Sequence, residues 1–410
     1  MEYISSKNIF MLTRDMLKLV NRKVMDHGSR VAYILMMMLH ETGRYEEYEI
    51  AEFCYLASLH DIGAYNTEDL SKPLQFESRD SAPHSIYGHL FFKYLSAFGD
   101  RSKILLYHHT SYMTLQNMEF EYKDIANYLN LADAVDVYMT ALREKFNIGI
   151  FRKWIGKRFS PESLALLLRA EEKHHLIDKI RSKEFKKDLD AQMDYFILTN
   201  EEKKKSLEFL MYCGGFKNVE YVVSTTTCLC ICEEIAKHMK LGEADREILY
   251  YAALLHDIGM LGLHKEFLDP TYNPSASEKE LIKRHIAIEE RIFKMRDLNE
   301  DVLRVAIAHR ERKDGSGYPN GTKGKEHNKL QKILQVASGM TAKSPLPKEK
   351  VISELEQESA SGKLDREIVD IVLADYDGIV SKVAEESEAI LSMYTKLNTK
   401  YKKISEQFAQ

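Results

Sequence analysis

The chain has 410 residues, 44% of them hydrophobic and 30% charged, enough apolar matter for two or three cores and too much for a disordered polymer. Its 58 basic residues against 63 acidic ones leave a net charge of −5, which argues against a bulk nucleic-acid binder. Only 8 Pro and 19 Gly, in a chain rich in Leu, Glu, Lys, Met and Ala, favour helices over an all-β or βαβ architecture.

In chain order, residues 1–10 show no basic start followed by an apolar run, so no signal peptide is expected. His27 precedes the apolar run 31–39, which is about half the length a bilayer crossing needs. A Leu-rich helical stretch then runs into His60-Asp61-Ile62-Gly63. His84 stands before Phe91-Phe92, the doublet His108-His109 follows the apolar residues 104–106, and Asp133 lies inside the helix-patterned stretch 125–137. Residues 144–213 form a charged segment, with helical patterning at 163–168 and a basic stretch over 179–187 that reads as a solvated helix face.

Beyond that segment the pattern returns. His256-Asp257-Ile258-Gly259 repeats the first tetrapeptide 196 residues on (60 to 256). His285 answers His84 and His309 answers His108, each 201 residues on. Nearly constant offsets at three separate sites indicate a duplicated domain. The expected organisation is copy one over 10–145, a helical connector over 146–215, copy two over 216–375 and a C-terminal helix over 376–410. In that last stretch Tyr376, Val383, Ile390, Leu397 and Ile404 recur every seven residues, as in a coiled coil or a packed helix. It either forms a homodimer or folds back on its own chain. Five cysteines imply no disulfide framework, and Cys228, Cys230 and Cys232 lack the spacing of a zinc knuckle. Cys228 and Cys232 share a helix face and read as buried core thiols. The expectation is an all-α, cytoplasmic protein with no membrane contact.

Copy one presents five histidines and two carboxylates in one order: His27, His60, Asp61, His84, His108, His109 and Asp133. Each lies in or beside an apolar, helical stretch, where an unpaired polar group is costly. Adjacent residues on a helix diverge by about 100°, so a His-Asp or His-His doublet can reach two ions side by side. The donor set suits two divalent first-row metals, Fe or Mn foremost and Zn as a third option, rather than Ca. Two such ions neutralise charge in an in-line displacement at phosphorus, so phosphoester hydrolysis is the natural chemistry. Asp61 is the candidate for bridging the two ions and is assigned the catalytic role. His40 and His89 are read as ordinary structural histidines.

The order His…His-Asp…His…His-His…Asp resembles that of the HD-domain metal phosphohydrolases. Residues 310–319, Arg-Glu-Arg-Lys-Asp-Gly-Ser-Gly-Tyr-Pro, look like the signature loop of the HD-GYP subgroup. The resemblance implies an all-α bundle of about five core helices per copy and a phosphodiesterase that linearises cyclic di-GMP or a related cyclic dinucleotide. By the same resemblance, all seven copy-one residues occupy ligand positions. Copy one departs from the family in having Ala64 where a Lys is usual, Lys23 where some members carry a Glu, and no Gly-Tyr-Pro loop after His109. Copy two keeps that loop with His256, Asp257, His285 and His309, read as a vestigial site. It has Ser224, Arg310 and Ser338 where ligands are usual, and Met260 for the Lys.

Copy two is therefore expected to be structural or regulatory. Arg310, Arg312, Lys313 and Tyr318 could contact a phosphate or a signalling protein at the loop, and Arg310 could pair with Asp257. The expected substrate is a cyclic dinucleotide or another phosphoester. A non-catalytic nucleotide-binding or scaffold protein in cyclic-dinucleotide signalling is the alternative.

Overall fold

The computed structural model describes residues 3–65 and 82–408. Among these, 19 α-helices joined by short 3-10 turns make up the chain, with a single isolated bridge between Ile155 and Phe159 and no strand. No helix among the described residues is long and apolar enough to cross a membrane.

The helices gather into two compact units, cut at points that differ from the expected boundaries. One unit comprises residues 21–206 and 396–410, the other residues 1–20 and 207–395. The segment expected as a connector is thus largely part of the first unit. Leu166, Leu167, Ala170, Leu176, Leu189 and Met193 are all fully buried there, and the carboxamide of Gln192 donates to the carbonyl of Glu47 at 2.9 Å. A charged sequence with a strong apolar stripe packs as a layer of the core rather than as a spacer.

In the first unit, the helix Ser6–His40 breaks its helical backbone at Asn21, whose side-chain oxygen accepts from the amides of Lys23 and Val24 and restarts the helix. After that break, residues 31–39 are buried, as are Phe91, Phe92, Leu105, Leu129 and Val135 of the same unit. In the second unit, the helix Val219–His238 packs on the helices Glu243–Leu255 and Lys329–Thr341.

The C-terminal helix Tyr376–Phe408 uses its heptad seam within the chain. Tyr376, Ile379, Ile390 and Leu397 are buried, and Tyr394 donates to the carbonyl of Tyr212 at 3.1 Å. Further on, Asn398 accepts from Tyr87 at 2.6 Å and Phe408 stacks on Tyr107. Part of the seam thus folds back and finds apolar and aromatic partners on its own chain, while Val383 and Ile404 stay half-buried.

Candidate metal centres

Five of the histidines share one local device. His60, His108, His256, His285 and His309 each follow the last turn of a helix, and each Nδ1 lies 2.5–2.8 Å from the carbonyl three residues back. Helix ends leave such carbonyls without an intrahelical partner. A carbonyl only accepts, so the proton sits on Nδ1 and Nε2 keeps its lone pair facing inward. The doublets are therefore helix caps and ligand donors together. The glycine of each tetrapeptide lets that turn lie against the helix bearing the next histidine. A Cβ on Gly63 would stand 2.0 Å from the carbonyl oxygen of His84, and one on Gly259 would stand 2.1 Å from that of His285.

In the first unit all seven residues singled out above converge, in two groups. Asp61, His84, His108 and His109 place one ligand atom each within 4.8 Å of one another, and so do His27, His60 and Asp133. Asp61 joins the groups: its Oδ1 lies 3.5 Å from His60 Nε2 and 3.4 Å from His84 Nε2, while its Oδ2 lies 3.6 Å from His27 Nε2. His27 Nε2 is 3.1 Å from Asp133 Oδ1, and His84 and His109 bring their Nε2 atoms to 3.0 Å. The Nε2 atoms of His60 and His108 are buried without a hydrogen-bond partner. Buried lone pairs aimed at one another are unfavourable unless cations lie between them, so this donor set fits two divalent transition metals.

The electrostatics follow from that crowding. Burial pushes His108 down to about 3 and holds His109 well below the ordinary imidazole range, with neighbouring imidazoles adding to the effect. Asp61 is buried, which opposes ionisation, yet His60, His84, His27 and His108 hold it well below the usual carboxylate range. Ionised carboxylate and neutral imidazole are the forms that bind metal.

Two residues that the sequence reading passed over complete this centre. Asp136, one helical turn beyond Asp133, meets His27 Nδ1 at 2.7 Å and takes both Nε and Nη2 of Arg30. The signal was available: Asp133-x-x-Asp136 and His27-x-x-Arg30 each put a second charged group on the same face of an otherwise apolar helix.

The second unit assembles a smaller cluster, Asp257, His285 and His309. Arg310 Nη2 lies 3.7 Å from Asp257 Oδ2, the pairing that the sequence suggested. The other loop residues separate. Tyr318 stands against the His285 ring, whereas Arg312 donates to its neighbour's carbonyl and Lys313 pairs with Asp365 at 3.5 Å. The loop is organised instead around the Glu311 carboxylate, which accepts from the amides of Asn320 and Thr322. Ser338 donates to the carbonyl of His309, and His256 Nε2 lies 3.3 Å from Asp257 Oδ2. Cys228 is buried as expected, but it also touches this cluster. A hydrogen bond from Cys232 lowers its thiol, with the His256 imidazole beside it. Glu289, 201 residues on from Gly88, is fully buried and accepts from the Gly259 amide at 3.1 Å; burial raises its carboxyl well above the ordinary range.

Residues 216–368 match the family described as HD domain. That segment is similar to an HD domain. The match falls on the copy whose ligand set departs most from the expected pattern. A 3'3'-cGAMP-specific phosphodiesterase 3 of Vibrio cholerae is 33% identical over 130 residues, 30% of this chain and 28% of that protein. The 3'3'-cGAMP-specific phosphodiesterase 1 of the same organism is 24% identical over 378 residues, 85% of this chain and 86% of that protein. A cyclic di-GMP phosphodiesterase of Thermotoga maritima is 32% identical over 169 residues, 38% of this chain and 45% of that protein. The chain thus spans less than half the length of two of these three relatives. The crystal structure of the cyclic GMP-AMP phosphodiesterase V-cGAP3 of V. cholerae shares the all-α fold, with a TM-score of 0.57 at 16% identity, over 92% of this chain and 98% of that one.

Proposed function

We propose that this protein is a metal-dependent phosphodiesterase that hydrolyses a cyclic dinucleotide at the N-terminal cluster, and that the C-terminal copy is structural or regulatory. The observation that carries the reading is the junction at Asp61, whose Oδ1 faces His84 of one group and His60 of the other while its Oδ2 faces His27, so that this carboxylate would join two ion sites into one centre. Bound metals would neutralise the phosphodiester and activate water for attack at phosphorus. The protein's part is to hold the ligands: His84, His108 and His109 on one side of Asp61, and His27, His60 and Asp133 on the other. The Nδ1 caps of His60 and His108 and the Asp136 contact of His27 fix those three tautomers beforehand, so less reorganisation is left for catalysis. The substrate class rests on the named activities of the relatives.

The test is hydrolysis of cyclic di-GMP and 3'3'-cGAMP by protein purified without oxygen and supplied with Mn(II) or Fe(II), with the products separated by chromatography. Linear product from one of these substrates, abolished by Asp61→Ala, is the expected result. Failure to form product from either, with folded and metal-loaded protein, would turn the reading toward a nucleotide receptor or scaffold.

A further inference from the structure

In the N-terminal copy, Ala64 stands where the family resemblance implies a Lys, and residues 110–117 take the place of the Gly-Tyr-Pro loop. Those residues pair instead with a segment that the sequence assigned to the connector. The amides of Tyr112 and Met113 donate to the carbonyls of Arg158 and Lys157 at 2.9 and 3.0 Å. Residues 154–160 form a tight turn there, closed by the Arg158 amide on the Trp154 carbonyl and the Gly156 amide on the Phe159 carbonyl, both at 2.9 Å. Phe159 is fully buried beneath it. Asn127 holds the turn from the other side, donating to the Arg158 carbonyl at 3.0 Å and accepting from the Ser160 amide at 2.8 Å. All of these anchors use the backbone of Arg158 and leave its side chain out.

The Arg158 guanidinium lies beside the N-terminal cluster. Its Nε donates to Asn130 Oδ1 at 3.3 Å, and Asn130 Nδ2 donates to the carbonyl of Thr110 at 3.2 Å. Asn130 is fully buried one helical turn before Asp133, and Thr110 directly follows His109, so Arg158 is tied to two segments that carry candidate ligands. Its charge reaches the His109 ring, where it adds to the effects of burial and of the neighbouring imidazoles. A permanent cation at that place works against a metal ion on His109. An anion lying between the two positive charges converts the repulsion into attraction. Arg158 is half-buried, which lowers the competition from water without closing the site.

We propose that Arg158 binds the phosphate of the substrate at the N-terminal site, its guanidinium holding the non-bridging oxygens. The turn 154–160 thereby supplies the fixed positive charge that Ala64 and residues 110–117 do not. That the anion is a phosphodiester rests on the function proposed above; that Arg158 binds an anion rests on its placement.

Calorimetric titration of inorganic phosphate into the intact, Mn(II)-loaded chain tests this apart from hydrolysis. Arg158→Gln should weaken phosphate binding by about 10–100-fold, the loss expected for a hydrogen bond to a charged group, while metal content stays unchanged. Arg158→Lys should recover part of that loss, since it keeps the charge but not the fork, and it carries the test where Arg158→Gln fails to fold. Phosphate affinity equal to that of the native protein in both folded variants would overturn the proposal. So would a parallel loss of metal, which would show that Arg158 acts by holding the ligands in place. Phosphate binding that depends on Arg158, in a protein that cleaves no cyclic dinucleotide, would uphold the anion site while removing the phosphodiesterase reading.

Discussion

Asp136 and His27 meet at 2.7 Å, carboxylate Oδ2 to Nδ1, with the Arg30 guanidinium forked across both oxygens of the same carboxylate. The contact turns His27 Nε2 toward Asp133 and Asp61 and fixes which nitrogen carries the proton. Carboxylates behind metal-ligating imidazoles typically contribute 10–100-fold in metal affinity. Asp136→Asn, which keeps the shape but loses the charge, should weaken Mn(II) binding at the N-terminal cluster by about that factor. Calorimetric titration of the folded variant measures it, and an unchanged affinity would show that His27 is oriented by packing alone.

Gly63 tests the link between backbone and site. Its missing side chain lets the His60-Asp61 turn lie against the carbonyl of His84 and the amide of Gly88. Gly63→Ala should cost about 1–3 kcal/mol through forced separation of these segments. It should also reduce metal occupancy, because His60 and His84 move apart. Gly43→Ala is a poor control, since Gly43 has a positive φ; Gly339→Ala, at a helical position with open space, should be neutral or slightly stabilising.

His89 gives a pH dependence separate from the metal centres. It is buried, it meets Ser102 Oγ at 2.9 Å, and burial lowers its imidazole to about 4 from an ordinary 6.5. Between those values the unfolded chain binds the proton and the folded chain does not. The stability associated with neutral His89 is therefore complete above pH 6.5 and falls as pH drops toward 4. Urea unfolding at pH 5 and 7.5 should show native protein losing about 2 kcal/mol more than His89→Gln. Equal losses would remove His89 as the cause.

The C-terminal helix should hold the chain together rather than pair two chains. Removing residues 383–410 deletes buried Ile390 and Leu397, each side chain contributing about 1.5–3 kcal/mol. Full-length protein is expected to run as a monomer in light scattering after gel filtration, and the truncated protein to melt at a markedly lower temperature. A dimer that becomes a monomer on truncation, with no change in melting, would restore the coiled-coil role.

Much of the site was legible in one dimension because its chemistry is encoded by residue type and repeat. Histidines and aspartates in apolar helical stretches are costly unless matched, and an offset that recurs across three sites marks equivalent positions. That reasoning gave the helical class and the seven candidates that the fold brings together, while the Arg310–Asp257 pairing and the departures of the second copy were read through the family resemblance. It took Lys313 for a neighbour of Arg310 because the two are close in sequence, although Lys313 turns to Asp365. It also placed the boundaries by the extent of the repeat, whereas compactness assigns residues 146–206 to the first unit and residues 1–20 to the second.

Residue spacing determined which side chains could reach a common ion. Only the tertiary structure decided how they meet: that Asp61 stands between the two groups, with Oδ1 near His84 and His60 and Oδ2 near His27, that Asp136 and Arg30 stand behind His27, and that buried residues of the heptad seam pack on their own chain. The reason is physical. Periodicity records which face of a helix is apolar, but the partner of that face and the proton position on each imidazole depend on groups over a hundred residues away, such as Asp136 at 109 residues from His27.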